Sequence, residues 1–138
     1  MVVILDTNVL LQSLARKNKF RPIWDAFLRE DFVLAMSVSI KYEYEEKLVE
    51  KTSVEYASLI MQILERAVNV TNKKTYYYWN IIKADPDDNK FFDAAVAANT
   101  DYLVTNDLHF NEAKKIQFPK VTVITADEFL GVLKNMPL

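Results

Sequence analysis

Three aspartates far apart along the chain, Asp6, Asp88 and Asp107, stand where carboxylates do chemistry rather than decoration. Asp6 closes Val2-Val3-Ile4-Leu5, an apolar and mostly β-branched run that reads as a strand buried on both faces. Asp107 closely follows a second such run, Tyr102-Leu103-Val104-Thr105, and Asp88 opens the helix that leads into it. If those strands are parallel, all three acids reach the carboxyl edge of the sheet, where ligands of open α/β sheets gather. Carboxylates brought that close raise one another's pKa unless a cation sits among them. Hard divalent cations take oxygen ligands, and Mg²⁺ in particular is held by a few carboxylates with waters and substrate phosphates, so the expected ion is Mg²⁺ or Mn²⁺. Zinc fits badly, because one histidine and no cysteine leave its usual ligands missing.

Each acid also has a simpler explanation. Asp6 would cap the helix that follows it. Asp85, Asp87 and Asp88 sit at a helix start, where negative charge complements the dipole. Asp107 follows Asn106 in what reads as a polar turn. Of the glutamates, Glu43, Glu45, Glu46 and Glu50 form a charge run of the kind that usually faces solvent. Periodicity does not choose among them, since Glu43 and Glu45 flank the Ile40-Tyr44-Leu48 stripe about equally. Reach favours the early one: at ~1.5 Å per residue, Glu43 lies roughly 6 Å beyond a helix start near Ser39, and Glu50 roughly 16 Å beyond it.

The elements needed to position these groups can be followed along the chain. A first helix runs to about Ala15 and gives way to Arg16-Lys17-Asn18-Lys19-Phe20-Arg21, a positive loop. Pro22 suits the first turn of a second helix, Ile23 to Glu30, with Trp24, Phe27 and Leu28 as its apolar stripe. Phe32 to Met36 reads as a strand. Ser37 or Ser39 starts a helix through Lys51, and Ser53 starts another through Ala67. A short strand is expected at Val68 to Val70, and Thr71 to Asn80 fits no pattern. After Asp85-Pro86-Asp87-Asp88, a helix to about Ala98, the strand Tyr102 to Thr105, a polar stretch around Glu112 to Gln117, the strand Val121 to Ile124 and a helix from Ala126 complete the chain. Strands alternating with helices predict an α/β fold, three layers α/β/α around a central parallel sheet.

Composition narrows the setting. The 138 residues are 51% hydrophobic, which suits one domain spanning 1–138 with a single core. With no cysteine there is neither disulfide nor thiolate metal site, and a cytoplasmic location is the expectation. No apolar run approaches a membrane span, and the N-terminus lacks the features of a signal peptide. A formal charge of −2 does not advertise a nucleic-acid binder, so any polyanion must be held by a local patch. The lone glycine, Gly131, excludes glycine-rich phosphate-cradling loops.

Taken in order, Val-Ile-Leu-Asp6-Thr7-Asn8, then Ile40-Lys41-Tyr42-Glu43-Tyr44-Glu45-Glu46-Lys47-Leu48, then Asp85-Pro86-Asp87-Asp88-Asn89-Lys90-Phe91-Phe92, then Asp101-Tyr102-Leu103-Val104-Thr105-Asn106-Asp107 resembles the PIN-domain nucleases. The resemblance covers nearly the whole chain and is nearest to the bacterial and archaeal group assigned as toxins of toxin-antitoxin modules, the VapC-like proteins. It implies a Mg²⁺- or Mn²⁺-dependent endoribonuclease that cuts single-stranded RNA. By motif register the catalytic, metal-binding acids map to Asp6, Glu43, Asp88 and Asp107, with Asp85 as a supporting acid. Thr7, Asn8, Thr105 and Asn106 become supporting or phosphate contacts, Asn106 standing where relatives often carry glycine. An antitoxin over the active-site groove and a homodimer are further implications of the resemblance.

Metal-assisted hydrolysis of this kind needs no side-chain nucleophile: one or two ions, about 3.5 to 4 Å apart if two, activate water and stabilise the departing oxygen. In an acidic protein the substrate phosphates call for Arg16, Lys17, Lys19 and Arg21, with Lys73 and Lys74 as further candidates. Tyr76-Tyr77-Tyr78-Trp79 has the composition of a base-stacking platform, although packing into the core or a subunit interface is the stronger expectation. His109, two residues past Asp107, reads better as an ordinary loop histidine than as a substrate contact. Two rivals are kept. A haloacid-dehalogenase-like phosphotransferase also starts with a strand and an aspartate, but wants an acid or hydroxyl two residues on and then glycine, where Asn8-Val9 stand here. A catalytically degenerate domain binding RNA or protein is the other.

Overall fold

The computed structural model describes residues 1–137. Five parallel strands, β1 (Val2–Leu5), β2 (Val33–Met36), β3 (Val70–Asn72), β4 (Tyr102–Val104) and β5 (Val123–Ile124), form one sheet in the order β3-β2-β1-β4-β5. The described helices are α1 (Thr7–Leu14), α2 (Arg21–Leu28), α3 (Val38–Lys51), α4 (Val54–Arg66), α5 (Asn89–Ala98), the short α6 (Asn111–Lys114) and α7 (Ala126–Lys134). This is the three-layer α/β/α arrangement that the alternation of elements predicts. None of these helices is long and apolar enough to cross a membrane.

Strand order determines where a site can form. The chain builds outward from β1 through β2 to β3, then returns to lay β4 on the other side of β1, so connections leave in opposite directions between β1 and β4. Such a reversal opens a crevice at the carboxyl ends of the strands. Register brings the two ends level: Leu5 faces Val104, and the Asp6 amide donates to Val104 O at 2.9 Å.

The sheet is apolar because both its faces are covered. Ile4, Leu34, Leu103 and Val104 are wholly buried, and α5 lays Phe91 and Phe92 against β1, β2 and β4. Trp24, Phe27, Phe32 and Phe129 fill the other side, with Phe32 edge-on to Phe129 at 5.3 Å. The start signals work as their chemistry requires: Ser37 accepts from Ile40 N, Ser53 from Tyr56 N, and Thr125 with Glu128 forms a reciprocal capping box.

Local differences from the sequence reading have physical reasons. The third strand lies at Val70–Asn72 rather than at Val68 to Val70; Val68 is exposed, while Leu34 and Met36 pair only with the later register. The polar stretch from Glu112 contains α6, whose Ala113 is fully buried and holds it down. The helix expected after Asp85-Pro86-Asp87-Asp88 begins there, α5 starting at Asn89, and the stretch before it adds a 3-10 turn over Pro86–Asp88. Asp88, the residue before α5, makes no capping hydrogen bond with its side chain, which is therefore free for other use.

Candidate active site

Asp6 turns out to be both cap and buried carboxylate. Its Oδ1 accepts from Thr7 N at 2.8 Å, its Oδ2 from Thr105 Oγ1 at 2.7 Å, and only 6% of the residue is exposed. Among the described residues no basic side chain pairs with it. Burial pushes its pKa from 3.8 to about 6; the hydrogen bonds from Thr105 and Thr7 hold it down, and the charges of Asp107 and Glu43 add to the rise.

Glu43 arrives from the second turn of α3. Thr7 Oγ1 donates to its Oε2, and Lys90 Nζ lies 2.6 Å from its Oε1. Glu43 is half-buried, whereas Glu45, Glu46 and Glu50 are exposed, so the glutamate within reach of the helix start is also the one that faces inward. Its neighbour Tyr44 is completely buried and donates its hydroxyl to Leu5 O at 2.5 Å, which ties α3 to the end of β1. The Tyr44 pKa is pushed well up by burial, then by the charges of Asp6 and Glu43.

The third and fourth acids come from the start of α5 and the loop after β4. Burial raises Asp88 from 3.8 to about 6, Asp107, Asp85 and Asp6 push the same way, and His109 pulls it partly back. Asp88 Oδ2 is buried and has no hydrogen-bond partner; His109 Nδ1, at 3.5 Å, stands at an ion-pair distance without bonding to it. Asp107 is oriented through its own backbone, with its amide donating to Thr105 Oγ1 at 3.0 Å and its Oδ1 accepting from His109 N at 2.9 Å. Thr105 thus links Asp6 to Asp107. Asp85 accepts from Asp87 N at 3.2 Å, and Asp87 itself faces solvent, so of the three acids in this turn Asp85 and Asp88 face the cluster.

His109 is the main correction at residue level. Expected to be an ordinary loop histidine, it has Nδ1 3.3 Å from Asp107 Oδ1 and 4.0 Å from Asp85 Oδ2, and it shares with Asp85 and Asp88 a set of ligand atoms all within 4.8 Å of one another. Lys90 was not anticipated at all. The available signal was a lysine in the first turn of a helix, where the dipole disfavours positive charge and a special partner is implied.

A hollow of about 380 Å³ opens beside the acids, lined by Asp6, Asn8, Gln12, Lys51, Asn106 and Asp107. Asn106 also accepts from Ala126 N at 3.0 Å, fastening the loop to the start of α7. A groove no smaller, lined by Phe27, Leu59, Ile63 and Val68, carries one acid, Glu30, and none of the candidate residues. The positive loop is not brought to the acids. Arg16 to Arg21 lie past the far end of α1, whose eight residues span ~12 Å. Arg21 is committed to Asp25 at 3.0 Å and Leu14 O at 2.7 Å, and Lys19 pairs with Asp127 at 3.3 Å. Lys90, on Glu43, and Lys51, in the lining of the hollow, are the cations that the structure places beside the acids.

The donor set suits a hard divalent cation: carboxylate oxygens from four parts of the chain, one of them buried and unbonded, with two pKa values raised by confinement and mutual repulsion. The acids that the structure brings within 4.8 Å of each other together with His109 are Asp85 and Asp88; Asp6, Glu43 and Asp107 stand beside them, close enough for their charges to act on one another, but outside that set.

Among solved structures the fold is similar to VapBC2 from Rickettsia felis bound to a DNA fragment from their promoter, with a TM-score of 0.64 and 17% identity over 91% of this chain and 98% of that one. It is also similar to DNA-bound VapBC from Salmonella typhimurium (TM-score 0.62, 16% identity, 91% and 98%) and to VapBC-1 from nontypeable Haemophilus influenzae (0.60, 17%, 92% and 99%). No curated protein matches the sequence. The family model for the PIN domain matches residues 2–109, a span that runs from the first residue of β1 past every acid of the cluster. On that match the chain belongs to the PIN domain family.

Proposed function

We propose that this protein is a Mg²⁺- or Mn²⁺-dependent endoribonuclease acting on single-stranded RNA, the toxin of a toxin-antitoxin pair. The observation that carries the reading is Asp88 Oδ2, a buried carboxylate oxygen without a donor, in a cluster where Asp6 and Asp88 are both held near pKa 6. An arrangement this unfavourable for the bare protein is what a metal site looks like without its ion. Membership of the PIN domain family and the likeness to VapBC toxin-antitoxin complexes support the nuclease and antitoxin parts of the reading. In this reading the protein works as a homodimer in the cytoplasm.

The residues that would hold the ion are Asp6, Glu43, Asp88 and Asp107, with Asp85 in support; bound there, it would polarise the scissile phosphate, generate hydroxide from water and stabilise the departing oxygen. The protein's own contribution is preorganisation. Thr105 and the Thr7 amide fix both oxygens of Asp6, Thr7 Oγ1 fixes Glu43, and Tyr44 holds α3 against the end of β1. Lys90, with its ammonium on Glu43, stands ready to meet a substrate phosphate once a cation satisfies that carboxylate. Asn8 and Asn106 line the hollow and offer amide groups to phosphate or water.

Incubation of a labelled single-stranded RNA with wild type and Asp6→Asn, in Mg²⁺, Mn²⁺ or EDTA, tests the proposal. Cleavage only by wild type with metal is expected. Cleavage that survives EDTA or the substitution contradicts it, and binding without cleavage moves the protein to the non-catalytic reading.

A further inference from the structure

Between β3 and Asp85 the chain runs through Lys73 to Lys83 with neither helix nor strand, and along it come Tyr76, Tyr77, Tyr78 and Trp79. The sequence led us to expect these rings inside the protein or at an interface. The three tyrosines are 79%, 74% and 75% exposed, which takes them out of the core; Trp79 is half-buried, with the Tyr77 ring 6.0 Å from it and the exposed Phe118 edge-on at 6.4 Å. Aromatic surface left facing water in such a cluster marks a contact site.

The backbone carrying these rings is tied down on both sides, before the tyrosines by Lys73 N, which donates to Met36 O at 2.8 Å, and after them at two points on α5. Trp79 N donates to Asp93 Oδ1 at 3.0 Å, and the Asn89 side chain both accepts from Ile82 N at 2.8 Å and donates to Ile82 O at 2.9 Å. The rings are therefore presented in a set order by an anchored strap.

Charge and continuity select the partner. Lys73 and Lys74 line the groove that holds Tyr76, Tyr77 and Trp79, and neither makes an ion pair among the described residues. The one acid lining that groove, Asp93, is buried and occupied by Trp79 N. On the other side of the strap Thr75, Tyr78, Asn80 and Lys90 line a second groove, whose one outward acid is Asp87. That groove ends at the ammonium group resting on Glu43. Two free cations, rings with open faces and a direct path to the carboxylates fit an unpaired polynucleotide; a duplex, with its base faces already stacked, offers nothing for the rings.

We propose that this aromatic strap is the track on which single-stranded RNA lies beside the acidic hollow. Bases stack on Tyr76, Tyr77 and Tyr78, Lys73 and Lys74 neutralise phosphates, and Lys90 meets the phosphate nearest the acids. This rests on the ribonuclease reading and adds to it a substrate contact surface outside the carboxylate cluster.

The test uses the Asp6→Asn protein, so that RNA stays intact, and a fluorescein-labelled oligouridylate read by anisotropy. Replacing Tyr76, Tyr77 and Tyr78 together by alanine lowers affinity by about tenfold or more, and replacing them by phenylalanine, which keeps the stacking faces, leaves it near the parent value. Lys73→Gln with Lys74→Gln flattens the dependence of log affinity on log salt by ~1.4, about 0.7 for each lost phosphate contact. In the otherwise wild-type enzyme the triple alanine variant raises KM for RNA and leaves kcat in place. Unchanged RNA affinity in the triple alanine variant overturns the track, as does unchanged affinity with loss of a dimer in sedimentation, which makes the strap a subunit contact. Strap-dependent RNA binding by a wild type that never cleaves RNA leaves the track standing and removes the ribonuclease reading; cleavage indifferent to the strap does the reverse.

Discussion

Asp6 is held by two hydrogen-bond donors and crowded by two other carboxylates, and this conflict has a measurable sign. Its folded pKa, about 6, lies above the ordinary 3.8, so between those values the folded chain keeps a proton that the unfolded chain has released. The stabilisation this gives is complete below about pH 4 and disappears as pH rises through about 6. In EDTA, urea unfolding is expected to show a protein less stable at pH 8 than at pH 5, with Asp6 alone contributing up to ~3 kcal/mol of the difference. Asp88 moves in the same direction. Asp6→Asn removes the conflict, so the metal-free variant should be the more stable protein at pH 8 while losing metal-dependent cleavage; a variant less stable than wild type there contradicts the electrostatic account. At this scale the sequence was informative for Asp6 and Asp107, because a carboxylate at the end of an apolar run has few places to go. It was silent on Lys90 and misleading on His109, since a lysine on a helix and a histidine in a loop are ordinary surface residues until the partner is known.

At the scale of elements, the acids meet because α3 and the start of α5 are pinned to the ends of β1 and β4. Tyr44 does part of this by giving its hydroxyl to Leu5 O from a fully buried position. Tyr44→Phe should cost ~1 to 2 kcal/mol in chemical denaturation, the loss of a buried hydrogen bond with little change of volume. An unchanged midpoint would mean that this bond does not hold α3. Ser37→Ala, which removes the cap at the α3 start, should cost ~1 kcal/mol by the same measurement. Serine caps and the Ile40-Tyr44-Leu48 stripe made α3 readable in advance, and helix reach then singled out Glu43. The turn at Asp85 to Asp88 was ambiguous by one or two positions because Pro86 inserts a 3-10 turn before α5, a detail that sets which carboxylates face inward and that composition does not encode. The strap from Lys73 to Lys83 has no periodicity, so its packing could not be read, and of the two places expected for its tyrosines, core or subunit interface, their exposure removes the core.

For the whole molecule, the alternation of strands and helices was enough to give a parallel sheet, and the reversal between β1 and β4 then makes one crevice the natural meeting place for distant acids. A fold that gathers like charges should be stabilised by the ion that relieves them. Ligand at 100 times its Kd adds ~2.7 kcal/mol to a folded state that alone binds it. Mn²⁺ is therefore expected to raise the melting temperature of wild type at pH 8 and to leave Asp6→Asn with Asp88→Asn nearly unmoved. Equal shifts in both proteins would place the ion elsewhere. The most direct test is anomalous diffraction from crystals soaked in Mn²⁺. A peak bonded to oxygens of Asp6 and Asp88, at about 2.2 Å, is the predicted result; crystals with Mn²⁺ bound at other surface positions and none among these carboxylates would contradict the account.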